Sequence, residues 1–206
     1  MIKTENLKAI DYSKELTKAA HIVLIEVAKI WKNYEDNLIV IGGWVPDLLF
    51  PNRGHIGSID FSAGKYEGNS GHRKSQHLEG LRALKATGGH FAFNVEHYEV
   101  SLNPYASAVS EVVRINVVNI VPFFVMKTSA LSRQKAKDSY DMYFYMDNYE
   151  YGIEEFIKLF LPFKDLKIKK DMVKVLKVNF QSINSVGPNN IVSFLDIDNV
   201  EDIEFI

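Results

Sequence analysis

The stretch that most limits how this chain can fold runs over residues 38–63, LIVIGGWVPDLLFPNRGHIGSIDFSA. It opens on an apolar run, Leu38-Ile39-Val40-Ile41, which has the length of a short buried strand. The run stops at Gly42-Gly43, a helix-like piece comes next over residues 44–50, and Pro51-Asn52-Arg53-Gly54 makes a polar turn. A second strand candidate closes the stretch and carries one carboxylate, Asp60. Two readings of this order stand side by side. A glycine pair after a strand makes a tight turn. It also lets backbone approach a ligand with no Cβ in the way, and N–H groups opening the next helix favour an anion such as phosphate. A carboxylate on the neighbouring strand could then hold a magnesium ion that bridges to that phosphate.

Around this stretch the chain is that of an ordinary globular protein. Its 206 residues suffice for one large domain, or for one domain with a helical extension. With 47% hydrophobic residues it can bury a core without covalent staples. The absence of cysteine excludes disulfides and thiolate metal sites. No two of the six histidines have the i, i+4 spacing of a helical zinc site, and no P-loop or nucleophile elbow occurs. Residues 1–20 are mixed and charged, and no apolar run approaches spanning length, so no membrane partner and a cytoplasmic location are expected. The net charge of −2 gives no global attraction to nucleic acid.

Periodicity places the elements. Leu16, Ala19, Ala20, Val23, Val27, Ile30 and Trp31 recur at helical spacing within residues 12–34 and read as a core-facing stripe. Residues 64–71 read as a glycine-bearing loop. Residues 72–87 read as a basic helix stopped by Gly88-Gly89, able to meet a phosphate backbone or to be a solvated face. Residues 95–102 and 112–120 alternate and read as a strand pair around the turn signal Asn103-Pro104-Tyr105. From Pro122 the chain reads as helical. Lys127 emerges from an apolar helix, where it can snorkel from the core edge or reach a phosphate or carboxylate. Asp138 and Asp141 share a helix face and can pair with Lys127 or Arg133. Two more helices are expected over residues 152–161 and 165–184. Gly187-Pro188 then makes a break, a short helix covers residues 191–195, and an acidic tail ends the chain.

Two motifs carry a resemblance. Gly42-Gly43-Trp44 with His55-Ile56-Gly57-Ser58-Ile59-Asp60 resembles the first motif of the AbiEii-type toxin nucleotidyltransferases, of the DNA polymerase β-like nucleotidyltransferase superfamily. Residues 120–127, Ala130-Leu131, Arg133, Lys137-Asp138 and Tyr140-Asp141 resemble the family's later block, an apolar helix bearing a lysine and then a Lys-Asp pair opening another helix. The resemblance covers roughly residues 38–150. It implies an α+β fold, a small mixed β-sheet flanked by helices over residues 1–121, followed by a helical C-terminal half over residues 122–206. It also implies transfer of a nucleoside monophosphate from an NTP to an acceptor hydroxyl on tRNA or protein, with magnesium, in a toxin–antitoxin or phage-defence setting with a cognate antitoxin as partner. In that reading Asp60 holds metal, Gly42, Gly43 and Ser58 cradle phosphate, Lys127 steadies the triphosphate, and Asp138 stands behind it.

The chain departs from the family at one place. Members carry an Asp-x-Asp pair and a third acidic residue on a later strand; here Ser62 stands at the second position. The segment after Asp60 resembles the one after the third acidic residue in relatives, as if several tens of residues were absent. Asp60 therefore matches either the first or the third family carboxylate. Residues i and i+2 of a strand share a face, so an Asp-x-Asp pair offers two carboxylates where this chain offers one and a hydroxyl. The alternative is a catalytically inactive, shortened relative that binds nucleotide or an antitoxin.

Overall fold

The computed structural model describes residues 8–31, 38–55, 62–63, 75–78, 81–85, 88–102, 112–133 and 135–197. It is mixed α and β and divides into two compact units, one of residues 13–123 and one of residues 1–12 with 124–206. The sequence pattern sets its own boundary at 121/122, whereas the described residues 8–12 go with the C-terminal unit.

The middle unit opens with helix α1, Lys14–Trp31. The helix lies where its apolar period predicts one, but it packs by a different side. Ile25 is 4% exposed, whereas Leu16 and Ile30 are 63% and 70% exposed and Val23 is exposed as well. At 100° per residue Ile25 lies opposite Leu16, so most of the expected core stripe faces outward. Periodicity reveals that a stripe exists and says nothing of what covers it.

Next, Val40 makes a single parallel bridge to Val117, with Val40 N–H donating to Asn116 O at 2.7 Å and Val118 N–H to Val40 O at 2.9 Å. The expected first strand is thus one bridge long. It ends because Gly42 turns the chain at φ +82°, a conformation that costs any residue with a Cβ. A 3₁₀ turn, Gly42–Trp44, leads into the short helix α2, Val45–Leu49, with Pro46 in its first turn. The polar turn stands as expected: Asn52 and Gly54 both have positive φ, 65° and 83°.

Strands β1 (Ser62–Ala63), β2 (Ser75–Leu78) and β3 (Leu81–Lys85) form a sheet in the order β1-β3-β2. This overturns the helix expected over residues 72–87. β2 and β3 pair antiparallel from Ser75↔Leu84 to Leu78↔Leu81, and only Glu79-Gly80 separates them in sequence. Two residues with glycine between short runs form a hairpin signal, and it outweighs a helical period resting on Leu78, Leu81 and Leu84. Helix α3, Gly89–Ala92, comes after Gly88 at φ +83°.

Strands β4 (Tyr98–Leu102) and β5 (Val113–Val117) pair antiparallel, Tyr98 opposite Val117 and Leu102 opposite Val113. This is the strand pair the alternating valines predict. β5 ends three residues before the pattern places its end, because Asn119 starts a helix. Asn119 Oδ1 accepts the Val121 N–H at 3.2 Å, an N-terminal cap of the ordinary kind.

That helix is α4, Ile120–Ala130, and the boundary between the units falls within it. Its first seven side chains are apolar and point to every face, and Phe123, Phe124 and Val125 are buried. In the C-terminal unit Phe124 is ringed by Phe156, Tyr145 and Phe160 at centroid distances of 4.9, 5.7 and 6.1 Å, all edge-on. Edge-to-face contact is the favoured geometry for such rings. Helices α5 (Ala136–Asp147), α6 (Gly152–Lys158), α7 (Lys167–Asn179) and α8 (Val186–Leu195) complete it. α5 and α8 join through Tyr140 and Phe194, 4.7 Å apart. Tyr12 meets Phe194 at 5.9 Å and Lys8 Nζ donates to Asp196 Oδ1 at 2.5 Å, which is why the first residues belong to this unit.

The break expected at Gly187-Pro188 lies earlier in the structure, over residues 180–185 between α7 and α8. α8 begins at Val186 and keeps Pro188 in its first turn, where a missing N–H costs nothing. A Cβ on Gly187 would lie 2.3 Å from the Phe180 ring, so that position requires glycine for close packing. The loop over residues 64–71, the turn at residues 103–105 and the tail from residue 198 lie outside the described residues. Among the described residues no helix is long and apolar enough to cross a membrane.

Candidate functional site: the α4–α5 charge cluster

Lys127 is the sole charged residue of α4. It sits one turn before the end of a helix that is buried all round, and it is itself 8% exposed. An ammonium in that position must be paired, because burying an unpaired charge costs far more than a fold can supply. α5 supplies the partners. Lys127 Nζ donates to Asp138 Oδ1 at 2.8 Å and to Asp141 Oδ2 at 2.5 Å. The two aspartates are three apart and project from one side of α5.

Each aspartate has a second cation. Lys137 Nζ donates to Asp141 Oδ1 at 2.6 Å, across the favourable i, i+4 spacing. Arg133, from the 3₁₀ turn Leu131–Arg133, brings Nη2 to 3.4 Å from Asp138 Oδ2. All four carboxylate oxygens are therefore met by cations. Three positive groups surround two negative ones, leaving the cluster one charge in excess.

The electrostatics differ for the two lysines. Burial pushes Lys127 down, but the carboxylates of Asp141 and Asp138 and their hydrogen bonds outweigh it, and its pKa lies well above the ordinary lysine value. Lys137 goes the other way: burial lowers it, and one shared carboxylate, with the Lys127 charge nearby, does not compensate. Lys127 is thus a fixed cation at any physiological pH. It has three N–H donors, and two are engaged by the aspartates. Thr128 and Ser139, adjacent in sequence to Lys127 and Asp138, are buried with hydroxyls that find no hydrogen-bond partner among the described residues.

The other residues singled out in the sequence fall elsewhere. Gly42 and Gly43 belong to the middle unit, at the 3₁₀ turn before α2. Gly42 is required there by its own backbone angle, and Gly43 is buried. The five residues of α2 are too few for an anion site at its start. Ser58 and Asp60 lie outside the described residues. Among the described residues no group of three or more His, Asp or Glu side chains gathers as a metal site. Asp138 and Asp141 do not fit magnesium, since every oxygen they offer already faces a cation; Asp60 stays the candidate ligand. Sequence reasoning anticipates the Lys127–Asp138 pair but does not single out Asp141 as the hub of the cluster, nor Lys137 as its second partner. The signal is present in the i, i+4 spacing of Lys137 and Asp141 on a helix otherwise rich in Tyr, Met and Phe.

No protein-family model, no curated protein and no solved structure matches this chain.

Proposed function

We propose that this chain is a nucleotidyltransferase-like protein of the AbiEii toxin type, acting on an NTP with magnesium and passing a nucleoside monophosphate to an acceptor hydroxyl of tRNA or protein. The observation that carries the proposal is the buried Lys127 of α4, held by Asp138 and Asp141 of the Lys-Asp helix. A transferred phosphoryl group needs little covalent help and much positional and electrostatic help. A lysine kept charged and fixed by two carboxylates is suited to that task, with its remaining N–H directed to a triphosphate oxygen. Asp138 is a positioning residue here, acting through Lys127. Asp60 would hold the metal, and Gly42, Gly43 and Ser58 would approach the phosphates.

A second reading has an observation in its favour. Asp60 stands alone, with Ser62 where a second carboxylate would be, and two-metal phosphoryl transfer needs ligands for both ions. In that reading the chain is a catalytically inactive relative that binds nucleotide or a cognate antitoxin. Incubation with each α-labelled NTP, magnesium and total tRNA separates the two. Label transfer that disappears in Asp60→Asn supports the transferase. Saturable nucleotide binding without transfer supports the inactive relative. Absence of both removes the nucleotide from the account.

A further inference from the structure

Helix α7 carries five lysines against one aspartate, in a chain whose net charge is −2. Four of them, Lys167, Lys170, Lys174 and Lys177, are exposed and recur at spacings of three, four and three. At 100° per residue they fall within about a quarter of the helix circumference, on the side away from the buried Met172. The row is about 15 Å long at 1.5 Å per residue.

An ordinary solvated helix face interleaves charges of both signs. Two other helices of this chain do so: Lys29 donates to Glu26 on α1 and Lys158 to Glu155 on α6. On α7 only Lys174 has a carboxylate nearby, Asp171 at 3.7 Å. Among the described residues none pairs with Lys167, Lys170 or Lys177. The arrangement opposes the helix twice over. Successive lysines at i, i+3 and i+4 repel one another. The first turn holds no acidic residue yet begins with Lys167, Lys169 and Lys170, at the end where the helix dipole disfavours cations. Among the described residues the Lys174–Asp171 contact alone relieves these costs, and local rules broken with so little compensation mark functional surfaces. A row of negative charges laid along the helix would relieve both.

We infer that the outer face of α7 binds the phosphate backbone of a nucleic-acid duplex. The dimensions agree. About 15 Å of duplex axis carries about four phosphates on one strand, at 3.4 Å each. The face bears no aromatic side chain on which unpaired bases could stack, which points to a duplex rather than a single strand. It is not a membrane surface. A membrane-bound amphipathic helix needs its apolar side free to enter lipid, and here Met172 is buried and Ile168, Val175 and Leu176 are half-buried. Backbone contact carries no sequence preference. The inference does not rest on the transferase reading, since α7 would hold a duplex whether or not any nucleotide is transferred.

The test is fluorescence anisotropy of the full chain with a 20-base-pair RNA duplex and a DNA duplex of arbitrary sequence, over a salt series. Vesicles containing phosphatidylserine form a third arm. Binding to either duplex should weaken with salt at a log–log slope of about −3 to −4 for four lysines, or on the order of a hundredfold between 50 and 200 mM. In K167Q/K170Q/K174Q/K177Q that slope should collapse towards zero, and each single change should reduce it by about one. K14Q/K18Q/K29Q on α1 should leave it unchanged. The two duplex arms identify which nucleic acid is preferred. No duplex binding at low salt, binding that the fourfold variant retains, or binding to vesicles alone would overturn the inference.

Discussion

The two units hold themselves together in different ways. In the C-terminal unit a buried group of charges joins α4 to α5, and each member depends on another. In the middle unit the comparable position, the turn after Val40, depends on a backbone angle that only glycine adopts without strain. The contrast teaches what each unit tolerates. A charge cluster fails when one partner is removed, because the remaining charges stay buried. A glycine turn fails only by the strain of one residue.

The largest expected effect is therefore at Asp141. Asp141→Ala deprives Lys127 and Lys137 of their shared carboxylate and should cost about 3–5 kcal/mol in denaturant unfolding, the range for breaking a buried pair. Asp138→Ala should cost less, since Lys127 keeps Asp141 and Arg133 is exposed to water. Equal costs would mean that Asp141 is not the hub.

Alkaline titration sharpens the same contrast. Lys127 has a raised pKa in the fold, so its stabilisation is complete below the unfolded value of about 10.4 and is lost as pH rises through the folded one. Lys137 has a lowered pKa, so protonation favours the unfolded chain, and that cost is relieved as pH climbs from the folded value towards about 10.4. Stability of the C-terminal unit should therefore rise towards about pH 10 and fall beyond it, and Lys137→Met should remove the rising limb. The middle unit should respond at the other end of the scale. His21, 5.5 Å from the Trp44 ring, has its pKa lowered by burial, so stability there should be lost as pH falls below about 6.5. Urea melts across the pH range, followed by Trp44 emission in a Trp31→Phe background, read the acid limb.

Gly42→Ala should cost about 1–2 kcal/mol, the strain of a Cβ in the left-handed region. A cost as large as that of Asp141→Ala would dissolve the contrast between the units. The smallest effect is expected on α1. Leu16→Gln should change stability by less than about 0.5 kcal/mol, as exposed positions do, while Ile25→Ala on the opposite side should cost about 2–5 kcal/mol. The reverse order would restore the apolar stripe of α1 to the core.

These cases show where sequence pattern suffices. The β4–β5 pair is legible because valines alternate with polar residues. The approach of Lys127 to Asp138 is legible because a lone cation on a largely apolar helix must find a carboxylate, and α5 presents two on one side. The antiparallel β2–β3 pair escapes the pattern because Leu78, Leu81 and Leu84 at helical spacing hide the Glu79-Gly80 turn signal in the sequence. The outward side of α1 is beyond reach, because a period fixes which residues share a face and not which face is covered. The start of α4 is misplaced by the pattern because Pro122 draws attention away from the capping Asn119. Gly42 stands out in the sequence for its openness to a ligand, and its positive φ gives it a sufficient reason within the fold alone.

The most direct measurement is calorimetric titration of magnesium–NTP into the wild-type protein and into K127M/K137M/D141L. That variant replaces the core of the cluster by apolar side chains of similar volume, a change that buried ion pairs commonly survive, and leaves Asp138 to Arg133. If the cluster serves the triphosphate, the wild type binds nucleotide and the variant, folded by circular dichroism, does not. A folded variant that binds as well as the wild type would make the cluster purely architectural and contradict the account.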